Sequence, residues 1–420
     1  GRNEEEKNAL LIDEVDVFFS SSFYGKTYNP VFVLKNELIS NIIKFIWHYK
    51  DSIVFDNVLN GCPEYTKLLE QYPEWEDLIR KEVISMITDV NQYNYNNPIV
   101  DNDKIGYRSN GIVDCGISYG YNTVFAYFAF NEQSKNYISD ISLNENIGMK
   151  VRCGQYSYAK ITDEFNLIMG LSGTLQSLTA TEKEIICGYN IQRIATSPSI
   201  YGTSQLKYAP AHDTIILSKE EWLLRVIQVT QQNIIGGKAV IIFFEDNDII
   251  KQFQDMADIS PMHILTEETI NKENIVASST ISGTVTLCSR IFSRGTDFYC
   301  LDPKTESAGG VHVISTFLPI SPAESVQMKG RTARQGNPGT YCEILCKEHL
   351  VSNLTGFTAD EFDMQYENGL HVKWIYQLRD TMYENKVKDL IGKEKSCSQI
   401  HTKTNQYFEA LTNYYPSPEA

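Results

Sequence analysis

With 420 residues, 42% hydrophobic and 21% charged, the chain has the balance of a globular protein too long for one core, and about two to four domains are expected. Its 53 acidic against 37 basic side chains, a formal net charge of −16, oppose a general grip on phosphate backbones; that would need a local basic stripe, and none is seen. No apolar run approaches the ~18 residues of a membrane-spanning helix. Nine cysteines without CxxC pairing argue for reduced thiols inside the cell and against a structural zinc.

Residues 9–16 read as one strand, in which Ala9-Leu10-Leu11-Ile12 delivers Asp13 and Glu14, with Asp16 two positions on. A buried parallel strand ends at the ligand-bearing edge of its sheet, so one carboxylate there suits a metal's shell and the next suits an attacking water. Ser20–Lys26 reads as a loop. Tyr24-Gly25-Lys26-Thr27 is not a phosphate loop, because GxxxxGK[ST] would need glycine where Ser20 stands. Helix-spaced apolar residues follow over 31–50 (Leu34, Leu38, Ile42, Phe45) and 64–90 (Leu68, Trp75, Ile79, Val83), then an Asn/Tyr-rich loop at 91–103. Residues 111–130 are aromatic and β-branched, closer to strand than helix. The block 31–149 thus reads as an inserted α+β domain. Its stretch Gly120–Phe130 reads either as core or as a surface on which an extended polypeptide could add as a strand.

The interrupted domain resumes near Val151; Ile161–Met169 suits a helix, and Leu167–Thr174 ends in a strand and a small-residue turn. Residues 196–210 read as a linker. Beyond it, apolar runs at 214–217, 239–244, 262–265, 284–288, 311–316 and 341–346 alternate with helical stretches, the pattern of a parallel sheet with crossover helices. Cys342 and Cys346 fall in the last run as small hydrophobes. After the run at 284–288, Gly295, Thr296 and Asp297 form a turn suited to a nucleotide. In Gln327-Met328-Lys329-Gly330-Arg331-Thr332-Ala333-Arg334, the two arginines are three apart and would share a helical face, and their planar forks suit a γ-phosphate. From about 350 the chain is polar and helical, with Trp374, Ile375, Leu378, Met382 and Val387 near helical spacing.

In order, LLIDEVD (10–16), LSGTL (171–175), SRGTD (293–297) and QMKGRTARQGNPG (327–339) resemble the motifs of SecA, the ATP-driven protein translocases among the superfamily 2 helicase-like motors. The resemblance covers residues 9–17, 150–180 and 235–350. It implies an α/β fold of tandem RecA-like P-loop NTPase domains. The C-terminal part of the first would be 1–30 and 150–195, the inserted domain 31–149 would stand where SecA carries its preprotein-crosslinking domain, the second would be 196–350, and a helical extension would follow at 351–420. It implies ATP and Mg²⁺ as cofactors, with Asp13 on the metal, Glu14 as catalytic base, and Arg331 and Arg334 as arginine fingers. Asp16 would couple to Ser172 and Thr174, while Gly295, Thr296, Asp297, Gln327 and Gly330 would complete the nucleotide site. An unfolded polypeptide substrate, a membrane translocation partner and a cytoplasmic or peripheral-membrane location are implied as well.

Three departures stand out. VFFSSSFYGKTYNP (17–30) replaces the long motif that follows the acid strand in bacterial SecA, the cysteine-rich zinc tail is absent, and no Walker A precedes Asp13. The expectation is therefore a fragment lacking the phosphate loop and inactive alone. A superfamily 2 nucleic-acid helicase would share every ATP-site residue, and a catalytically degenerate scaffold would keep only the fold. The acidic balance, the insertion and the GRTARQGNPG spelling favour the translocase.

Overall fold

The computed structural model describes residues 8–15, 18, 20, 23–92, 97–109, 112–191 and 193–414. These fall into two compact units, residues 1–27 with 157–399 and residues 28–156 with 400–420.

The larger unit contains β1 (Ala9–Asp13), β2 (Leu167–Leu171), β3 (Gln205–Lys207), β4 (Thr214–Leu217), β5 (Val240–Phe244), β6 (Met262–Leu265), β7 (Val285–Ser289), β8 (Val311–Ser315) and β9 (Pro338–Cys346). Its principal helices are α1 (Ala180–Gly188), α2 (Lys219–Ile235), α3 (Asn247–Met256), α4 (Pro322–Lys329) and the first part of α5 (His371–Tyr414). All six apolar runs read beyond residue 210 are strands, and each pairing is parallel, in the order β9-β8-β5-β7-β6. Both β3 and β4 lie along β9, pairing with its first and last residues. The stretch read as a linker therefore contributes a strand, because the long β9 offers unpaired backbone beside Gln205–Lys207.

Strand β5, Val-Ile-Ile-Phe-Phe, is fully buried and shows why the sheet forms. Val240, Ile242 and Phe244 pack with Trp222, Val226 and Phe253 on one face. Ile241 and Phe243 pack with Phe292, Met328 and Tyr341 on the other. A strand covered on both faces needs apolar side chains at every position, and each such side chain contributes about 1.5–3 kcal/mol.

Strands β1 and β2 form a separate parallel pair, Ala9–Asp13 opposite Leu167–Leu171. Gly170 is required here, since a Cβ would meet Val15 Cγ2 at 2.4 Å. A cluster of Val15, Phe18, Leu178, Ile185, Tyr383 and Val387 gathers beside this pair, whereas Leu11, Leu167, Met169 and Leu171 are exposed. The helix expected over Ile161–Met169 is not formed. A 3₁₀ turn spans Tyr158–Glu164, and the residues after it are extended because β1 supplies their backbone partner.

In the smaller unit, Val31–Leu34 pairs antiparallel with Met149–Arg152, and Ile99–Asp101, Lys104–Ser109 and Ile112–Asp114 form a three-stranded antiparallel sheet. Residues 31–34 are thus strand, and the helix expected from 31 begins at Glu37, capped by the Asn36 side chain. Gly120–Gln133 is also a helix, contrary to the strand reading. Its Tyr121, Val124, Phe125 and Phe128 are buried, with Trp47 stacked on Phe125 at 5.7 Å. Packing here overrides aromatic strand propensity, and the stretch is core, closed to an extended polypeptide.

Candidate functional site

Asp13 and Glu14 lie exposed at the tip of β1, and Glu14 turns the chain with φ of 57°. A left-handed conformation in a non-glycine residue costs roughly 1–2 kcal/mol, and it redirects the backbone where the strand ends. Glu14 Oε2 accepts a hydrogen bond from Gln327 Nε2 at 3.2 Å. Gln327 projects from α4, which starts with Pro322 in its first turn and stops at Gly330. The amide oxygen, Gln327 Oε1, is buried and has no hydrogen-bond partner among the described residues. A polar atom left so costs free energy unless an incoming group satisfies it.

Arg331 and Arg334 follow the end of this helix and do not share a helical face. Ala333 and Gln335 both take φ of 53°, winding residues 330–337 into a tight turn. Gly339 passes beneath that turn, where a Cβ would lie 2.5 Å from Ala333 N. The arginines converge instead on the loop Ser293–Asp297. Arg331, 5% exposed, donates from Nε to Ser293 O at 2.8 Å and from Nη1 to Thr296 O at 2.5 Å. Its Nη1 also lies 3.9 Å from Asp297. Burial lowers the Arg331 pKa to about 10, and Arg334 pushes the same way against Asp297 and Glu14. Arg334 donates from Nε to Gly330 O at 2.7 Å and from Nη1 to the Asp297 carboxylate. That contact, before any other, holds the Asp297 carboxyl below its ordinary pKa. Gly295, at φ 66° with open space around it, shapes this loop.

Thr296, Asp297, Gly330, Arg331 and Arg334 are thereby joined through one chain of contacts, and the Glu14–Gln327 pair lies at the helix that leads into this turn, with the Glu14 charge acting on Arg331. Ser172 and Thr174, past the tip of β2, bond each other at 2.9 Å. Asp16, their expected partner, lies outside the described residues. Tyr24 and Gly25 lie in a turn, with Gly25 at φ 80°, Lys26 sits over the Tyr158 ring at 5.9 Å, and Thr27 begins a short strand.

Two features escaped the sequence reading. The first is a crevice of about 480 Å³ at the C-terminal ends of the sheet strands, lined by Glu245, Asp246, Glu267, Arg290, Arg294 and Glu324 among others. Arg290 is bidentate on Glu324 at 2.8 and 2.7 Å and lies 3.5 Å from Glu245. The spelling that could have flagged it is Phe243-Phe244-Glu245-Asp246, an apolar run ending in acids as at Asp13-Glu14. The second lies behind the arginine turn, where Glu343 is fully buried. It accepts from Tyr341 Oη at 3.1 Å, from Thr214 Oγ1 at 3.2 Å and from Tyr376 Oη on α5. Lys329 lies over the Tyr208 and Tyr341 rings at 4.5 and 5.6 Å, and burial lowers its pKa while Glu343 opposes the shift.

No family model matches the chain. The protein translocase subunit SecA of Bacteroides fragilis is 28% identical over 221 residues, 51% of this chain and 19% of that protein. SecA 2 of Magnetococcus marinus is 27% identical over 206 residues, 47% of this chain and 30% of that protein. SecA 2 of Bacillus thuringiensis is 24% identical over 280 residues, 62% of this chain and 32% of that protein. The chain thus spans between 19% and 32% of the length of these relatives. A DEAD-box helicase structure, Mss116 bound to single-stranded RNA and UDP-BeF, overlaps 66% of this chain and 60% of its own at 14% identity, with a TM-score of 0.31, too slight a likeness to bear on fold or function. The chain is thus similar to SecA proteins over about half of its own length.

Proposed function

We propose that the protein is a SecA-like motor in which ATP hydrolysis drives the movement of a polypeptide, with residues 1–30, 150–195 and 196–350 serving as RecA-like motor domains. The observation that carries this reading is the hydrogen bond from Gln327 to Glu14, which brings the acid-tipped strand within reach of the arginine turn from 313 residues away. Asp13 and Glu14 are adjacent exposed carboxylates, a donor set that suits a hard cation such as Mg²⁺, and Gln327 Oε1 awaits a donor. The residues therefore fit the metal and γ-phosphate end of a magnesium nucleotide.

On this reading Asp13 holds the metal's shell and Glu14 takes the proton of an attacking water. Bound ATP supplies the phosphoanhydride whose cleavage drives the motor. Arg334, tied among the described residues to Gly330 O and a half-exposed Asp297, is placed to exchange that carboxylate for phosphate oxygens. Ser172 and Thr174, with Asp16, would link the first domain to this site, and Gly295 and Thr296 would frame it.

A polypeptide suits this chain better than a nucleic acid. The crevice at the strand ends carries Glu245, Asp246, Glu267 and Glu324, against Arg290, which is already paired, and Arg294. Phosphate backbones are repelled by such a field. In the smaller unit, the two-stranded Val31–Leu34/Met149–Arg152 ribbon exposes Val31, Phe32 and Val33 and replaces Gly120–Phe130 as the place for strand addition. Membrane docking and a cytoplasmic location belong to the same reading; no described helix is long and apolar enough to cross a membrane. The test is ATPase rate at moderate salt in a protein that joins these residues to a phosphate loop. Stimulation by unfolded polypeptide is expected, and stimulation by single-stranded RNA alone would move the protein to the helicases.

A further inference from the structure

A cavity of about 530 Å³ in the larger unit lies apart from the arginine turn, between the Tyr24 loop, α1 and α5. Gly25, at φ 80°, lets that loop run against α5, where a Cβ would touch Lys393 Cβ at 3.4 Å. Tyr24 is thereby set beside Tyr189, their rings 6.4 Å apart at 86°, so that two walls of the cavity meet as an aromatic corner. Tyr189 is braced from behind by Phe18, stacked at 5.1 Å. Ile391, Ile185 and Ala159 add apolar surface.

Glu394 also lines this cavity and is 7% exposed. One of its oxygens, Oε2, accepts from Ser157 Oγ at 2.7 Å. The other, Oε1, is buried without a hydrogen-bond partner among the described residues. Two lysines line the cavity, Lys160, paired with Asp163 at 3.0 Å, and the exposed Lys395, against three acids, Asp163, Glu184 and Glu394. A buried carboxylate with an unpaired oxygen is costly until a donor, best a cation, reaches it. Aromatic faces attract the same cation, and apolar walls suit a short carbon chain.

We propose that this cavity binds an alkylammonium group, with Glu394 Oε1 accepting an N–H hydrogen bond and Tyr24 and Tyr189 flanking the charge. The N–H requirement sets the specificity: a primary amine meets it and a quaternary ammonium cannot. A lysine side chain and a free polyamine share this chemistry, and the site is independent of the motor reading.

The test is calorimetric titration and thermal shift on the intact chain with n-butylammonium, n-butyltrimethylammonium and butan-1-ol. Butylammonium should bind and raise Tm, the other two at least about tenfold more weakly, and Glu394→Gln should weaken butylammonium by a similar factor. Tyr24→Leu, which leaves the buried carboxylate untouched, should weaken it too, guarding against a folding defect in the first variant. Nα-acetyl-lysine methylamide and putrescine then separate a lysine side chain from a free amine. Equal binding of the quaternary compound, or undiminished binding in both folded variants, would overturn the proposal.

Discussion

Tyr376→Phe isolates one contact in the Glu343 network. Glu343 is fully buried and accepts three hydroxyl groups, from Tyr341, Thr214 and Tyr376. The substitution keeps the ring in place but removes a donor to a buried carboxylate, a loss of about 1.5–3 kcal/mol. The Tyr208 hydroxyl also loses Tyr376, at 2.8 Å, but retains Thr214 at 3.1 Å, so little is added. Glu343→Ala is more severe, leaving the three hydroxyls without their acceptor and Lys329 without its counter-charge. Since the hydroxyls can partly re-pair, the cost is about 3–5 kcal/mol, not the sum of three losses. Urea unfolding followed by fluorescence, with Trp222 and Trp374 reporting the larger unit, should show the Tyr376→Phe midpoint lowered by roughly 0.5–1 M. Pairing Tyr376→Phe with Glu343→Gln in a double-mutant cycle should give a coupling above about 1 kcal/mol. A Tyr376→Phe cost under about 0.5 kcal/mol with no coupling would refute the view that the carboxylate anchors α5 to the sheet.

Three further outcomes are expected. Ala333→Gly should stabilise the chain by about 0.5–1 kcal/mol by relieving its left-handed backbone, while Gly339→Ala should destabilise it, as read by Tm. In a protein that includes a phosphate loop, Arg334→Ala should reduce ATP turnover by roughly 10³-fold or more with little change in nucleotide affinity, and unchanged turnover would reduce the turn to a surface feature. His312 is buried beside Lys238, and burial, then that charge, depresses its pKa to about 3. The unfolded chain takes up this proton below about pH 6.5 and the folded chain only near pH 3, so acid favours unfolding. Stability from His312 is complete above that window and falls by about 1.4 kcal/mol per pH unit within it, and His312→Gln should flatten the acid limb of the Tm profile.

The parallel strands were legible because strands buried on both faces are apolar throughout, and runs such as Ala239–Phe244 admit no alternation to misjudge. Tyr121–Phe130 was misread for a non-local reason: its helix has no side-chain cap of its own at Tyr119, and Asp89, 32 residues earlier, receives the Tyr121 N–H. Leu167–Leu171 owes its strand to Ala9–Asp13, so the helix expected before it was displaced by a partner outside any local window. Gly330 marked where α4 ends, and a glycine at that place should have outweighed the three-residue spacing of the arginines. Glu343 was in plain view, a charge inside the apolar run Tyr341–Cys346, and the partners that satisfy it come from Tyr376 and Thr214, too distant in the chain to be inferred.

The two arginines, paired in sequence, are unequal in space. Arg331 is buried, and two of its donors are bonded to the carbonyls of Ser293 and Thr296, so releasing it would strand two acceptors in a closed environment. Its guanidinium fixes the path of the Gly295 loop and sets Asp297 where Arg334 meets it. Arg334 is partly exposed, and its carboxylate partner is half in solvent, where exchanging one anion for another costs little. On the proposed motor reading, Arg331 is the positioning residue and Arg334 the group that moves. Arg331→Lys should then disorder the Ser293–Asp297 loop, because one ammonium cannot span two carbonyls as a planar fork does, and hydrogen exchange should rise there while the rest of the sheet stays protected. Arg334→Lys should leave that loop intact. Equal exchange in both variants would mean that the arginines share a single role.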